Sequence, residues 1–500
     1  MKKTTLSILS ISIVLACGST NAFGQTISAG KAHTAIICGN DSAAISWGAN
    51  ANGELGVNDT LDRWLPVRVH GPGNTGFLHN IKQIVIRENF SVALMYDSTV
   101  WAWGYNADGE LGNDGTIDRV VPQQVHGPNN VGFLTGITQI SAGYAHVLAL
   151  KFDGTVWAWG DNTNGELGDS TTTNSLTPVQ VHGLLNVGFL TSVTQIAAGQ
   201  QFNVVLQAGG YALSWGLDTN GELGDSSLID KHIPVRVHGP GNIGYLIGIT
   251  SISAGGQHAL ALKIDSTVWS WGLNVNGELG NNTYGNISMV PQQVHGPSNI
   301  GFLMGITFIK AGDYFSGAIK ADSTVWTWGF NSYGQLGVND TTERNVPVHV
   351  HGTGNVGILQ GITEIGLGDE HLICKDKNDN YWVNGWNSNG QIGDGTTTDK
   401  WTPVMVTNPC STTLGIQPIT AMNEVNIYPN PASNMITMDC GKNLVTEMRI
   451  YNTLGQQVYG STLNGNSIQY INVASFTQGI YLVQLYTNKG LIQAKFTVQK

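Results

Sequence analysis

Charge is what this 500-residue chain has little of: Asp, Glu, Lys and Arg make up 11% of it, with 23 Lys and Arg against 34 Asp and Glu and a net charge of -11. No basic run or basic tail is present, and a chain that wraps nucleic acid needs clustered Lys and Arg to neutralise phosphates. Nucleic acid is therefore not an expected partner. Cysteine is scarce too, at five, and no pair has the close spacing of zinc ligands, so no metal site is expected. Past the amino terminus, no apolar run is long enough to span a bilayer. The short motifs that carry chemistry are missing as well: there is no Gly-x-Ser-x-Gly elbow, no His-Glu-x-x-His and no phosphate loop. The chain is also poor in the Ala, Glu, Lys and Leu that long helices need. Neither an enzyme nor a cofactor is expected.

What is abundant is glycine, at 65, with 14 tryptophans, and both recur in step. AWGDNTNGELG, from Ala158 to Gly168, returns from Ser46, Ala102, Ser214, Ser270 and Thr327 and, degraded, as VNGWNSNGQIG from Val383. The central glycines Gly53, Gly109, Gly165, Gly221, Gly277, Gly334 and Gly390 are 56 residues apart, with one step of 57. A fixed period of this length means units that bury their apolar faces only against one another.

The third unit reads ITQISAG, HVLALK, TVWAWG and PVQV, four runs of strand length. The second and third are joined by Asp153-Gly154, or elsewhere by Asp97-Ser98, Asp265-Ser266 and Asp322-Ser323, pairs that tolerate the positive φ of a two-residue hairpin. Seven small sheets of about four strands predict an all-β, seven-bladed β-propeller.

The pattern WG-x-N-x-x-G-E/Q-LG, a Pro-Val strand, then AG-x-x-H resembles the regulator of chromosome condensation repeat, over residues 26 to 408. The resemblance implies the seven-bladed propeller. It does not imply the nuclear GTPase-exchange role, since an acidic chain of uniform units lacks a long insertion to wedge against a GTPase.

The two ends of the chain differ from this array. Lys2 and Lys3, apolar Leu6 to Ala16 and small residues before Gln25 predict a signal peptide over 1–24; Val14 to Cys17 loosely resembles a lipoprotein site, with Leu15 fitting poorly. The propeller is expected over 25–408, a linker over 409–423 and a small β-sandwich over 424–500. That last module resembles the type A carboxyl-terminal sorting domain of type IX secretion, on Tyr428-Pro429-Asn430-Pro431, the Tyr451 to Gly455 turn, Gly479 to Leu482 and Lys495-Phe496. The resemblance implies a type IX translocon and a sortase-like peptidase as partners of residues 424–500. It also implies a protein secreted or attached to the outer-membrane surface after both end segments are cleaved. Cys38, Cys374, Cys410 and Cys440 allow three pairings. Cys38 and Cys374 hold related places in the first and seventh repeats, so a ring-closing bridge between them is one reading.

Repetition argues against chemistry at the conspicuous polar residues. Glu54, Glu110, Glu166, Glu222 and Glu278 give way to Gln335 and Gln391, which marks a structural slot. Asn162 to Gly165 mimics a Ca²⁺ loop whose first and twelfth positions, Gly160 and Thr171, carry no carboxylate. One histidine slot alternates His33, Phe90, His146, Phe202, His258, Phe315 and His371, so a flat ring matters there more than titration. Both the AG-x-x-H and WG-x loops follow odd-numbered strands and emerge on one face. There the residues vary from blade to blade: Ala49, Tyr105, Asp161, Leu217, Leu273, Phe330 and Trp386 after Trp-Gly or its equivalent, and Lys31, Glu88, Tyr144, Gln200, Gly256, Asp313 and Asp369 after Ala-Gly or its equivalent. A scaffold constant where it packs and variable where it faces out makes a recognition surface. The candidates for a protein or glycan ligand are Tyr105, Tyr144, Asp161, Leu217, Leu273, Phe330, Tyr333 and Trp386. The alternatives are a secreted inhibitor of an extracellular enzyme, as in a β-lactamase-inhibiting propeller of this repeat type, and, more remotely, an exchange factor or a propeller hydrolase or lyase. A monomer is expected.

Overall fold

The computed structural model describes residues 26–39, 41–407, 409–410, 425–439, 445–452, 457–462, 468–487 and 490–500. The expected signal peptide, Cys17 and Cys440 lie outside these residues. The chain forms two compact units, Met1–Cys410 and Ser411–Lys500.

In the first unit each blade is a four-stranded antiparallel sheet contiguous in sequence. The first blade has Ile27–Ala29, His33–Cys38, Ala43–Gly48 and Arg63–Arg68. The seventh has Ile362–Leu367, His371–Asp376, Tyr381–Gly385 and Lys400–Val406. First strands of successive blades touch all the way round, the seventh meeting the first. They line the axis, and the fourth strands form the rim. The hairpin turns behave as their residues demand: Ser98, Gly154, Ser266 and Ser323 all have positive φ, and Asp97 and Asp153 accept the amide of Thr99 and Thr155 at 3.0 Å.

The recurring loop stitches neighbouring blades together. Asn162 Oδ1 accepts the Leu167 amide at 2.9 Å, and its Nδ2 donates to Thr173 O at 3.1 Å, folding the loop on itself. Glu166 Oε2 accepts the Asn164 amide at 2.8 Å, while the Glu166 carbonyl accepts Nε1–H of Trp215, from the next blade, at 2.8 Å. Trp103, Trp159, Trp271 and Trp328 donate in the same way to Glu54, Glu110, Glu222 and Glu278, and Trp47 to Gln391. In blade 7, Asn384 takes the tryptophan's place and donates to Gly334 O and Gln335 O. The six of these tryptophans are fully buried. A large side chain that fills the inter-blade layer and satisfies a carbonyl there explains why the loop recurs.

The ring closes without exchanging a strand. Glu364 Oε1 accepts the Thr26 amide at 2.7 Å, Thr34 Oγ1 bonds His371 Nε2 at 2.8 Å, and a disulfide joins Cys38 to Cys410. The Cys38–Cys374 pairing is thus corrected. Cys38 packs with Ile373, Tyr381 and Val383 between blades 7 and 1. Cys374, next to Ile373 in its strand, points to the opposite sheet face and packs with Phe315 and Val325 of blade 6, remaining a buried free thiol. The bridge also draws Cys410, from the stretch read as linker, into the first unit.

The second unit packs a three-stranded sheet (Asn426–Tyr428, Met435–Asp439, Ile468–Asn472) and a four-stranded one (Val445–Tyr451, Gln457–Thr462, Gly479–Thr487, Gly490–Val498) around one core. Tyr481 stacks on Phe496 at 5.6 Å within it. The sorting-motif residues Tyr428, Pro429, Asn430 and Pro431 lead from one sheet edge towards the last strand, where Asn430 Oδ1 accepts the Thr497 amide at 2.9 Å. Tyr428 is exposed, Gly479 opens a strand, and Gly455 lies outside the described residues.

Candidate functional site

The repeated polar residues are absorbed by packing. Burial raises Glu54, Glu166 and Glu278 to about 7 and Glu110 to about 8, so these side chains are held near or in the neutral state that Gln335 and Gln391 have permanently. Burial lowers His33, His258 and His371 to about 3 and His146 to about 4. Each of these rings bonds a polar group of the next blade: His33 to Ser91, His146 to Asn203, His258 to Ser316 and His371 to Thr34. Where the slot holds Phe90, Phe202 or Phe315, the corresponding next-blade residues are Val147, Ala259 and Leu372. The alternation is therefore a rule about pairs: imidazole with a polar partner, phenyl with an apolar one. The connector histidines are equally engaged. His70 Nδ1 bonds Asn74 Oδ1 at 2.6 Å and its ring meets Phe77 edge-on.

The variable loops do share one end. In every blade the amide of the residue after Trp-Gly, or its blade 7 equivalent, bonds a carbonyl of the AG-x-x-H loop: Ala49 to Ala32, Tyr105 to Asn89, Asp161 to Ala145, Leu217 to Gln201, Leu273 to Gln257, Phe330 to Tyr314 and Trp386 to Glu370. The axial loops are also tied blade to blade, with amides of Tyr144, Gln200, Gly256, Asp313 and Asp369 bonding the next loop at 2.9–3.2 Å. So close a ring needs glycine ahead of the axial slot. A Cβ on Gly143 would fall on the carbonyl of Gly199 and the ring of His146. Blade 2 alone departs, with Arg87 in that place.

Arg87 reaches across the mouth to Asp313 of blade 6, its guanidinium nitrogen 3.5 Å from Oδ1. Gln200 Nε2, from blade 4, donates to the same oxygen at 2.8 Å, and Lys31 pairs with Glu88 at 3.1 Å. Arg87, Glu88, Asp313 and Asp369 are all buried. Burial lifts Asp313 to about 6 against the opposing pull of Arg87, and burial together with Asp313 lifts Asp369 well above the usual range. Glu370 is raised by burial and by Asp313.

Beside these carboxylates runs a row of half-buried rings from blades 6 and 7. Tyr314 lies 6.4 Å from Phe330, Phe330 6.2 Å from Tyr333, and Tyr333 6.0 Å from Trp386. Trp386 is oriented by Nε1–H donating to Ser388 Oγ at 2.8 Å. Three of the candidates, Phe330, Tyr333 and Trp386, are thus brought together. Tyr105 and Tyr144, on blades 2 and 3, lie near enough for the Tyr144 hydroxyl to raise that of Tyr105, after burial and Glu110. Asp161 turns back on its own loop, accepting the Thr163 amide at 3.2 Å. Leu217 and Leu273 are half-buried on blades 4 and 5, apart from the row. Sequence reasoning missed Arg87, Tyr314 and Glu370 and did not weigh Asp313 and Asp369 as a pair. The available signal was Arg87, the one departure from glycine in seven aligned loops.

The opposite end, made of hairpin turns and interblade connectors, exposes apolar tips: Val131 at 75%, Leu185 at 87%, Ile243 at 80% and Val356 at 77%. It also carries the Arg68–Asp41 and Lys375–Asp379 pairs, with Lys151 and Lys263 over tryptophan rings.

A closed ring of seven stitched four-stranded blades defines a β-propeller. The family model for the RCC1-like domain matches residues 14–295, and two for the regulator of chromosome condensation repeat match 322–374 and 306–335; the chain belongs to the RCC1-like domain family. Residues 426–499 match the secretion system C-terminal sorting domain, which makes this a chain exported to the cell surface or beyond. Among curated relatives, the ultraviolet-B receptor UVR8 of Arabidopsis thaliana is 26% identical over 76% of this chain and 81% of its own length. The E3 ubiquitin-protein ligase HERC2 of Homo sapiens is 28% identical over 74% of this chain but only 7% of its own length. Among solved structures, yeast RCC1 (Prp20) bound to Kap60 superposes with a TM-score of 0.61 at 19% identity, over 85% of this chain and 93% of that one. Human WBSCR16 gives 0.59 at 21%, over 73% and 93%. Both likenesses concern the fold.

Proposed function

We propose that the propeller is an exported binding module that recognises an extracellular partner through its loop face, centred on the mouth between blades 6 and 7. The observation that carries this is asymmetry. Residues that repeat in all blades are spent on stitching them together, whereas the blade-specific side chains Arg87, Asp313, Tyr314, Phe330, Tyr333, Asp369, Glu370 and Trp386 converge at one edge of the axis. Half-buried aromatic rings held by their own loops supply contact area at low entropic cost, the usual character of interface anchors. The repeated buried glutamates and the slot histidines of the blades are engaged in loop or inter-blade bonds, which favours binding over catalysis. The sorting domain supplies the route outward, through the type IX translocon and its sortase-like peptidase.

The test is capture of extracellular partners on immobilised wild-type propeller and on a Phe330→Ala/Tyr333→Ala/Trp386→Ala variant of unchanged circular dichroism. Partners recovered by the wild type and lost by the variant support the reading. Equal recovery by both overturns it.

A further inference from the structure

Resting on that loop-face reading, we infer that the mouth between blades 6 and 7 is a receptor for a cationic side chain, best an arginine, carried on a partner polypeptide. Three features of the site lead there.

The first is the charge balance. Around the mouth Lys31, Arg87 and, in the first strand of blade 6, Lys310 stand against Glu88, Asp313, Asp369 and Glu370. Lys31 pairs directly with Glu88 and Arg87 with Asp313, whereas Asp369 feels Arg87 and Lys31, and Glu370 feels Lys31, only from a distance. The second is an orphaned acceptor. Asp369 is 7% exposed, and its Oδ1 has no hydrogen-bond partner. A carboxylate oxygen buried without a donor costs stability unless a ligand completes it. The third is the aromatic row. Tyr314, Phe330 and Tyr333 meet edge to face, at 74° and 73° between ring planes, and each ring is only half-buried. Ring faces attract cations. The acidic and aromatic halves are joined physically: Trp386 donates its amide to the Glu370 carbonyl at 2.8 Å, and the Tyr333 hydroxyl is held up chiefly by the charge of Glu370.

A planar guanidinium satisfies both halves at once, stacking on a ring while its edge donates two hydrogen bonds to a carboxylate. A metal ion fits less well, since among the described residues no group of three or more His, Cys, Asp or Glu is placed to hold one. The Arg87–Asp313 pair joins blades 2 and 6 across the mouth. What fits is a side-chain tip offered from outside, which is how a protein segment presents arginine.

The probe is the peptide acetyl-Gly-Arg-Gly-amide, titrated into the full chain and followed by ligand-observed NMR at physiological salt, beside the same peptide with neutral citrulline for arginine. The inference expects saturable binding of the arginine peptide and affinity weaker by about ten-fold or more for citrulline, since one stacked, charge-assisted contact contributes on the order of 1–3 kcal/mol. Asp369→Asn/Glu370→Gln should weaken arginine binding by a similar factor. Asp97→Asn/Asp265→Asn, which removes the same charge from the opposite face, should leave it unchanged. Equal affinity for both peptides, or equal weakening by both double variants, overturns the inference. The capture experiment is decided separately: partners lost on Phe330→Ala/Tyr333→Ala/Trp386→Ala but indifferent to Asp369→Asn/Glu370→Gln keep the loop face and refute the cation.

Discussion

The repeated glutamate shows how one residue changes meaning with its surroundings. A carboxylate in a seven-fold loop reads as an acid site until its pocket is seen. Within the fold burial favours its neutral form, and its acceptor oxygen is used by the loop amide two residues earlier. The pH consequence has a definite sign. An unfolded glutamate ionises near about 4.3, whereas Glu54, Glu166 and Glu278 ionise near 7 and Glu110 near 8 in the folded chain. The folded state binds more protons in between, so this contribution is fully present in acid and is lost as pH rises through about 7 to 8. Replacing all five glutamates by Gln, as blades 6 and 7 already do, should flatten the fall of melting temperature between pH 5 and 9 relative to wild type, within the range set by those shifts. Parallel curves for the two proteins would contradict this. The histidine pairs give a second residue-scale test. His146→Phe alone strands Asn203 Oδ1 and should cost about 1–3 kcal/mol. Adding Asn203→Val, which copies the Phe90–Val147 pair, should recover most of it in denaturant melts.

At the scale of elements, most of what the sequence promised is present. Period and turn residues were enough to predict four strands to a blade, because the 56-residue spacing fixed the unit and Asp-Gly or Asp-Ser fixed the hairpin. The sharing of one face by two loop sets was legible for the same reason. The composition of the mouth was not. Which variable residues meet depends on contacts across the ring, such as Arg87 to Asp313, 226 residues apart, and no local pattern encodes those. The stitching tryptophans were visible as strand residues, but their acceptor was hidden because it is a backbone carbonyl. That acceptor predicts a difference between equivalent elements. The Glu166 carbonyl keeps a second donor, Asn203 Nδ2 at 2.8 Å, when Trp215 is removed. For the Glu110 carbonyl the residue that corresponds to Asn203 is Val147, which has no side-chain donor. Trp159→Phe should therefore destabilise by about 1 kcal/mol or more beyond Trp215→Phe in equilibrium unfolding. Equal losses would count against the stitch as the reason for tryptophan.

For the whole molecule, the decisive structural event is closure between blades 7 and 1. Each blade is contiguous, so no strand of one terminus completes the sheet of the other; the join rests on Glu364, His371, Trp47 and the Cys38–Cys410 bridge. The bridge spans a sequence separation of 372 residues, and constraining so long a loop in the unfolded chain is worth about 3–5 kcal/mol. Cys38→Ser/Cys410→Ser should lower stability by that order, with amide exchange rising first in blades 1 and 7. Unchanged exchange there would place the closure elsewhere. An extracellular destination, where disulfides persist, suits this device. The sequence pointed to a bridged ring but could not choose the partner, since side-chain direction in the seventh blade turns Cys374 towards blade 6.

The central claim is that the loop face, and not the connector face with its exposed apolar tips, meets the partner. The most direct measurement places a photo-crosslinking phenylalanine analogue at position 333 in one protein and at position 131, an exposed connector tip, in another, and irradiates each with the extracellular partner fraction. A discrete adduct at 333 with none at 131 is the predicted result; an adduct at 131 with none at 333 would contradict it.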